Sequence, residues 1–299
     1  MPTTEALQAT IGKVEDLYSI VKTMKALAAV SIRQYEQAVS VLEDYNRIVE
    51  MGLQIVLNRR YFAEEFPPLS LLTEIPGDRG ETLVLVFGSD QGLCGQFNQQ
   101  IAADAIAGVQ NLQIPADRLV TLAIGGRVVP ALESQGYDVA EQFSLPHSAQ
   151  GIADTVLELL LALDRWRSSR AIGQILLFYN RPTSGASYQS HRQQLLPLDP
   201  QQLRDIEARS WPSTGTPIQL MELEPLFWAI VRQYLFVSLY RALAASLASE
   251  NASRLASMQS AQRNIEERLD DLNAQYRRQR QSAITAELLD VVSGFEALS

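Results

Sequence analysis

The chain has 299 residues, enough for one large domain or two modest ones, and with 46% hydrophobic residues it can bury a core. Its formal net charge of −9 argues against a nucleic-acid partner, because a phosphate binder presents a basic face. One cysteine (Cys94) and two histidines (His147 and His191) leave no intrachain disulfide and make a zinc site improbable. Met1 to Thr10 lacks a basic patch followed by an apolar run, so no secretory leader is expected. The most apolar stretch, Phe227 to Ala248, is broken by Arg232, Gln233 and Arg241, and no run reaches the ~18 apolar residues of a membrane span. The acidity sits in the middle: residues 61–221 carry 10 Lys+Arg against 17 Asp+Glu, while the two ends are close to balanced.

Proline and glycine divide the chain. Of 13 prolines, 12 lie between Pro67 and Pro225, and 13 of 16 glycines lie between Gly77 and Gly215, so two helical arms flank a turn-rich middle. The first arm, residues 1–60, has a seam in steps of three and four: Leu7, Ile11, Val14, Tyr18, Val21, Lys25, Ala28, Ile32, Tyr35, Val39, Leu42, Asn46, Val49, Leu53, Val56. Lys25 and Asn46 are its polar members, of the kind that fix register. The second face of this arm reads as weak.

The middle, 61–221, alternates strand and helix. Strands are predicted at 82–87, 118–124, 137–143 and 174–179, with 187–196 pairing beside the last, and helices at 96–111, 127–135 and 152–166. This rhythm predicts a Rossmann-like, mainly parallel sheet with helices on it. Trp211-Pro212 and Pro217 predict a connecting loop over 197–225. The last arm, 222–299, carries a seam of Leu255, Met258, Ile265, Leu269, Leu272, Tyr276, Ile284, Leu288, Val291, Phe295 and Leu298. A continuous helix over it would run roughly 110 Å, longer than a compact domain is wide, and needs a partner to cover its seam. An insert with close ends makes the two arms an antiparallel coiled coil.

Ser89-Asp-Gln-Gly-Leu-Cys-Gly-Gln-Phe-Asn98 follows a strand and opens a helix, the setting of a phosphate cradle. Its spacing is neither GxGxxG nor a P-loop, and a tight turn with Asp90 or Asn98 as caps accounts for it. Cys94 reads as a passive thiol, because both histidines sit in polar, loop-like contexts. Asp78, Glu81, Asp164 and Asp199 form no recognisable acid/base pair, and no cofactor is expected. Arg277, Arg278 and Arg280 share one turn, followed by Gln281 and Thr285; they suit either a solvated face or carboxylates on a partner.

Three stretches of the last arm, Ser249-Glu-Asn-Ala-Ser-Arg-Leu-Ala-Ser-Met258, Tyr276 to Leu288 and Asp290-Val-Val-Ser-Gly294, resemble the carboxy-terminal signature of the gamma subunit of F-type ATP synthases. The motif containing Ser89, Asp90, Gly92, Leu93, Cys94, Gly95 and Asn98, the stretch Ile20 to Ala29, and Phe178-Tyr-Asn180 followed by Leu195-Leu-Pro197 resemble the same family in the same order. The resemblance implies a non-catalytic rotor. It implies that the paired arms form a shaft inside an alpha/beta hexamer, and that the middle domain stands with the epsilon subunit on a membrane c-ring. The resemblance also implies a peripheral assembly, on the cytoplasmic face of a bacterial or thylakoid-type membrane. By position it implies that Met24, Lys25, Arg280, Gln281 and Thr285 contact the beta subunits, and that Leu288, Val291, Phe295 and Leu298 sit in the hexamer bearing. Ser31, Arg277, Ile265 and Phe295 depart from the family's usual residues and mark a divergent branch; proton and sodium both stay open as the transported ion. A cysteine-pair switch is excluded. A structural adaptor, or an α/β enzyme with oligomerisation arms, are the alternatives.

Overall fold

The computed structural model describes residues 3–59, 80–183, 187–212, 215 and 220–296. In chain order these form α1 (Thr4–Arg59), β1 (Glu81–Phe87), α2 (Phe97–Asn111), β2 (Leu119–Ile124), α3 (Val129–Glu133), β3 (Val139–Phe143), α4 (Ile152–Ser169), β4 (Ile172–Pro182), β5 (Tyr188–Leu196), α5 (Pro200–Glu207) and α6 (Leu223–Glu296). They group into two compact units, one of Met1–Ala29 with Arg254–Ser299, the other of Val30–Ser253.

The second unit holds a five-stranded sheet of order β3-β2-β1-β4-β5. β1 pairs in parallel with β2 and β4, β2 pairs in parallel with β3, and β5 closes the edge antiparallel to β4. Both faces are covered, which is why β1 and β4 read as unbroken apolar runs rather than alternating ones. Val84, Val86, Ala123, Leu176 and Phe178 face α2 and α3, meeting Ile101, Ala105, Val109 and Leu132. A Cβ at Gly108 would lie 2.5 Å from Phe178, so this glycine lets α2 approach the sheet. On the other face Leu83, Leu85, Phe87, Leu122, Ile124 and Leu177 meet α4 and the parts of α1 and α6 that belong to this unit, through Leu53, Leu159, Phe227 and Leu243.

The first unit is a helix pair. Tyr18 donates to Glu266 at 2.9 Å and Lys25 donates to Gln262 at 3.0 Å, so the partner number falls as α1 advances and the pair is antiparallel. Ala28, Met258 and Leu272 are buried in its seam. Every α1 seam residue named above, across both units, is buried or half-buried.

Three expectations need correction. The segment 197–225 is not all loop: α5 lies within it, with Leu203 and Ile206 buried. Asp199 starts that helix by accepting from the Gln201 N–H at 2.8 Å, and Pro200 occupies the first turn, where its missing N–H costs nothing. A two-turn helix with two buried apolar residues gives too short a period to recognise. His191 is not in a loop but on β5, opposite Tyr179. The second face of α1 is not weak either. Ile20, Leu27, Val41 and Ile48 lie on one heptad spacing (with Gln34 at the middle position), and each of the four is more than half exposed.

Candidate functional site

The β1–α2 turn is built by backbone close to side chains. A Cβ at Gly88 would meet Val128 at 2.5 Å and the Asn98 Oδ1 at 2.8 Å, so only glycine fits. Asn98 reaches back from α2: its Oδ1 accepts from the Ser89 N–H at 2.9 Å and its Nδ2 donates to the Ser89 hydroxyl at 2.8 Å. The Ser89 hydroxyl donates to the Gln91 carbonyl at 2.9 Å. Leu93 (φ 63) and Gly95 (φ 58) supply the left-handed turns, leaving the Leu93 side chain exposed and Cys94 buried against Ser89 and Asn98. A Cβ at Gly92 would meet open space.

Asp90 leaves this turn to tie down two others. Its Oδ1 accepts from the Gly126 N–H and its Oδ2 from the Leu145 N–H, both at 2.7 Å. The carboxylate thus occupies amides at the ends of β2 and β3 that an anion would need. The Ser253 hydroxyl on α6 donates to the Cys94 carbonyl at 2.6 Å. Tyr188, at the start of β5, donates to Gln100 at 3.0 Å and packs edge-on against Phe97. In a doubly wound sheet a ligand sits at the carboxyl ends of the strands where their order reverses, here beside β1 and β4. At the β1 side of that rim the protein's own side chains take the space. Among the described residues no three His, Cys, Asp or Glu are grouped to hold a metal.

The residues assigned to partner contact lie on the helix pair. Met24 and Lys25 are half-buried, and Lys25 is drawn into a polar cluster with Gln262, Tyr18 and Glu266. The Glu266 carboxyl is held below its ordinary value by hydrogen bonds from Gln262 and Tyr18, with the Lys25 charge adding to them. Arg280, Gln281 and Thr285 are exposed, and the Thr285 hydroxyl donates to the Gln281 carbonyl one turn back. Ile284 (48%), Leu288 (61%) and Val291 (68%) are also exposed, so within the described residues the last apolar steps of the seam have no cover. Phe295 belongs to the final turn of α6, and Leu298 lies outside the described residues. The structure therefore gathers Arg280, Gln281, Thr285, Leu288 and Val291 onto one bare terminal segment of α6 and keeps the Ser89–Asn98 turn in the other unit.

The family model described as ATP synthase matches residues 3–298. A gamma chain of ATP synthase from Anaeromyxobacter dehalogenans (strain 2CP-C) is 31% identical, covering 100% of both chains. The chain belongs to the ATP synthase gamma-chain family. Another gamma chain, from Nostoc punctiforme, is 28% identical over 100% of both chains. Members of this family are non-catalytic subunits of the synthase. The fold is also similar to a chain of the Euglena gracilis mitochondrial ATP synthase (OSCP/F1/c-ring), with a TM-score of 0.62 at 15% identity over 99% of this chain and 94% of that one. A chain of the Tetrahymena thermophila mitochondrial ATP synthase central stalk and c-ring gives a TM-score of 0.54 at 24% identity, over 81% and 99%.

Sequence reasoning missed the partners of Asp90, which lie 36 and 55 residues away, and the bond from Ser253, which spans 159. No local pattern encodes such pairings. The Ser249–Met258 signature did mark the stretch of α6 that makes the Ser253 bond.

Proposed function

We propose that this chain is the central-stalk rotor of a rotary ATP synthase or ATPase, coupling ion flow through a c-ring to the nucleotide states of an alpha/beta hexamer. The observation that carries the reading is the bare end of α6. Its apolar steps Ile284, Leu288 and Val291 continue a seam whose intrachain cover has ended, so they suit an apolar collar supplied by other subunits. Arg280, Gln281 and Thr285, exposed beside them, suit charge-assisted bonds that form and break at each step. Met24 and Lys25 contribute to the same contacts from α1, and Phe295 and Leu298 complete the bearing. Residues 1–60 and 222–299 act as the shaft; 61–221 act as the foot, standing with epsilon on the ring. No helix among the described residues is long and apolar enough to cross a membrane, so membrane attachment would run through the ring, on the cytoplasmic face.

Tagged chain should recover an alpha/beta hexamer on purification; recovery of none refutes the reading. In that complex Arg280→Ala with Gln281→Ala should lower coupled turnover while the isolated chain keeps its far-ultraviolet spectrum. Unchanged turnover would remove those two residues from torque exchange.

A further inference from the structure

A cavity of about 410 Å³ lies within the sheet-bearing unit, between the β4–β5 edge and the helices α1, α5 and α6. That size is within the range of small-ligand sites. Its charged lining is uneven in its commitments. Glu50 is bound to Arg209 and accepts from Asn46 at 2.9 Å, so it is already neutralised. Arg181 on β4 and Arg241 on α6 have no ion pair or hydrogen bond among the described residues, and both guanidinium charges act on the Tyr179 hydroxyl. Glu36 is the one other carboxylate in the wall.

The neutral hydroxyl of Tyr179 is already committed within the wall, which leaves the two guanidinium groups as the strongest donors there. Tyr179 donates to Gln193 at 3.0 Å, and Tyr234 and Ser238 line the same space. The His191 ring packs edge-on against Tyr179, 5.2 Å between centroids, and lines the same space. Burial first, and the Arg181 charge second, hold this imidazole below its ordinary value, so near neutrality it is an uncharged N–H donor. Two guanidinium forks that line one partly enclosed space without a partner among the described residues are what an oxyanion recognises. We propose that this cavity binds a small oxyanion, phosphate or carboxylate in chemistry, held by Arg181 and Arg241 with His191 at its side. The site is separate from the β1–α2 rim and from the helix tip, and does not rest on the rotor reading.

The two histidines make the test direct. In the full chain labelled at the histidine ring carbons, inorganic phosphate, pyrophosphate and succinate are titrated in turn. His191→Gln assigns the two signals. The His191 resonance should shift saturably with at least one of the three, while His147 stays in place. Which anions act separates a phosphate site from a carboxylate one. Arg181→Gln and Arg241→Gln should each weaken half-saturation about tenfold, as expected for losing one fork; both side chains are exposed, so the fold should persist, checked by the His147 signal. No shift with any of the three anions, or half-saturation in both arginine variants unchanged from that of the parent chain, overturns the proposal.

Discussion

Asp90 joins three chain segments through one carboxylate. Its two oxygens hold amides from the turns after β2 and β3. Asp90→Ala leaves two partly buried N–H groups unpaired, and should cost about 2–6 kcal/mol in urea unfolding, since each orphaned donor costs about 1–3 kcal/mol. A loss below about 0.5 kcal/mol would mean that water replaces the carboxylate freely. Gly88→Ala should be comparably harmful for a different reason: its new methyl would sit 2.5 Å from the Val128 Cβ, and overpacking costs about 1–3 kcal/mol. The residue types at this turn were legible as a strand-to-helix junction. Their partners were not, because a hydrogen bond across 55 residues leaves no period in the sequence. His191 shows the same limit. In the sequence it is one polar residue among others, and only pairing with β4 brings it to Tyr179 and Arg181.

Among elements, the long helices were the most readable and the short one the least. A seam repeated over fifteen positions averages out local exceptions, whereas α5 has two buried apolar residues and one cap. The seam also makes a contrast testable in the isolated chain. Leu272 is 3% exposed and Leu288 61% exposed, so Leu272→Ala should cost about 2–4 kcal/mol. Leu288→Ala should cost less than about 0.5 kcal/mol, and matter only in the assembled complex. Equal losses would show that the end of α6 is covered within the chain itself. The pair should also respond to acid. The Glu266 carboxyl titrates below its ordinary 4.5, so the folded pair favours its charged form. That contribution is complete above the unfolded value and is lost as pH falls through the depressed one. Helix melts should therefore shift downward between about pH 5 and pH 3, and the shift should be smaller in Glu266→Gln. An identical pH response in the variant would assign the acid sensitivity to other carboxylates.

At the scale of the molecule, the two units differ in how they are held. The unit of Val30–Ser253 rests on a sheet with both faces buried, and the unit of the chain ends on one helix seam. Trp166, Trp211 and Trp228 all belong to the former. Tryptophan fluorescence therefore reports the sheet unit alone, while helical circular dichroism reports both. The dichroism midpoint should lie at lower urea than the fluorescence midpoint, a departure from two-state behaviour. Coincident midpoints would mean that the units unfold as one. The α/β class and the two arms were legible from proline spacing and alternation, because these reflect the whole chain. The division inside α1 and α6 was not, since a continuous helix carries no mark where its neighbours change.

Cys94, 2% exposed beneath the Ser89–Asn98 turn, gives the chain a practical property. Maleimide reagents need an accessible thiolate, and the native chain offers one sheltered thiol. A cysteine introduced at the exposed Gln275 position of α6 would then be the only readily labelled site of this chain, with no background mutation needed. A single dye placed there would report the orientation of the α6 end in an intact assembly, turning the sparing use of cysteine into an optical handle.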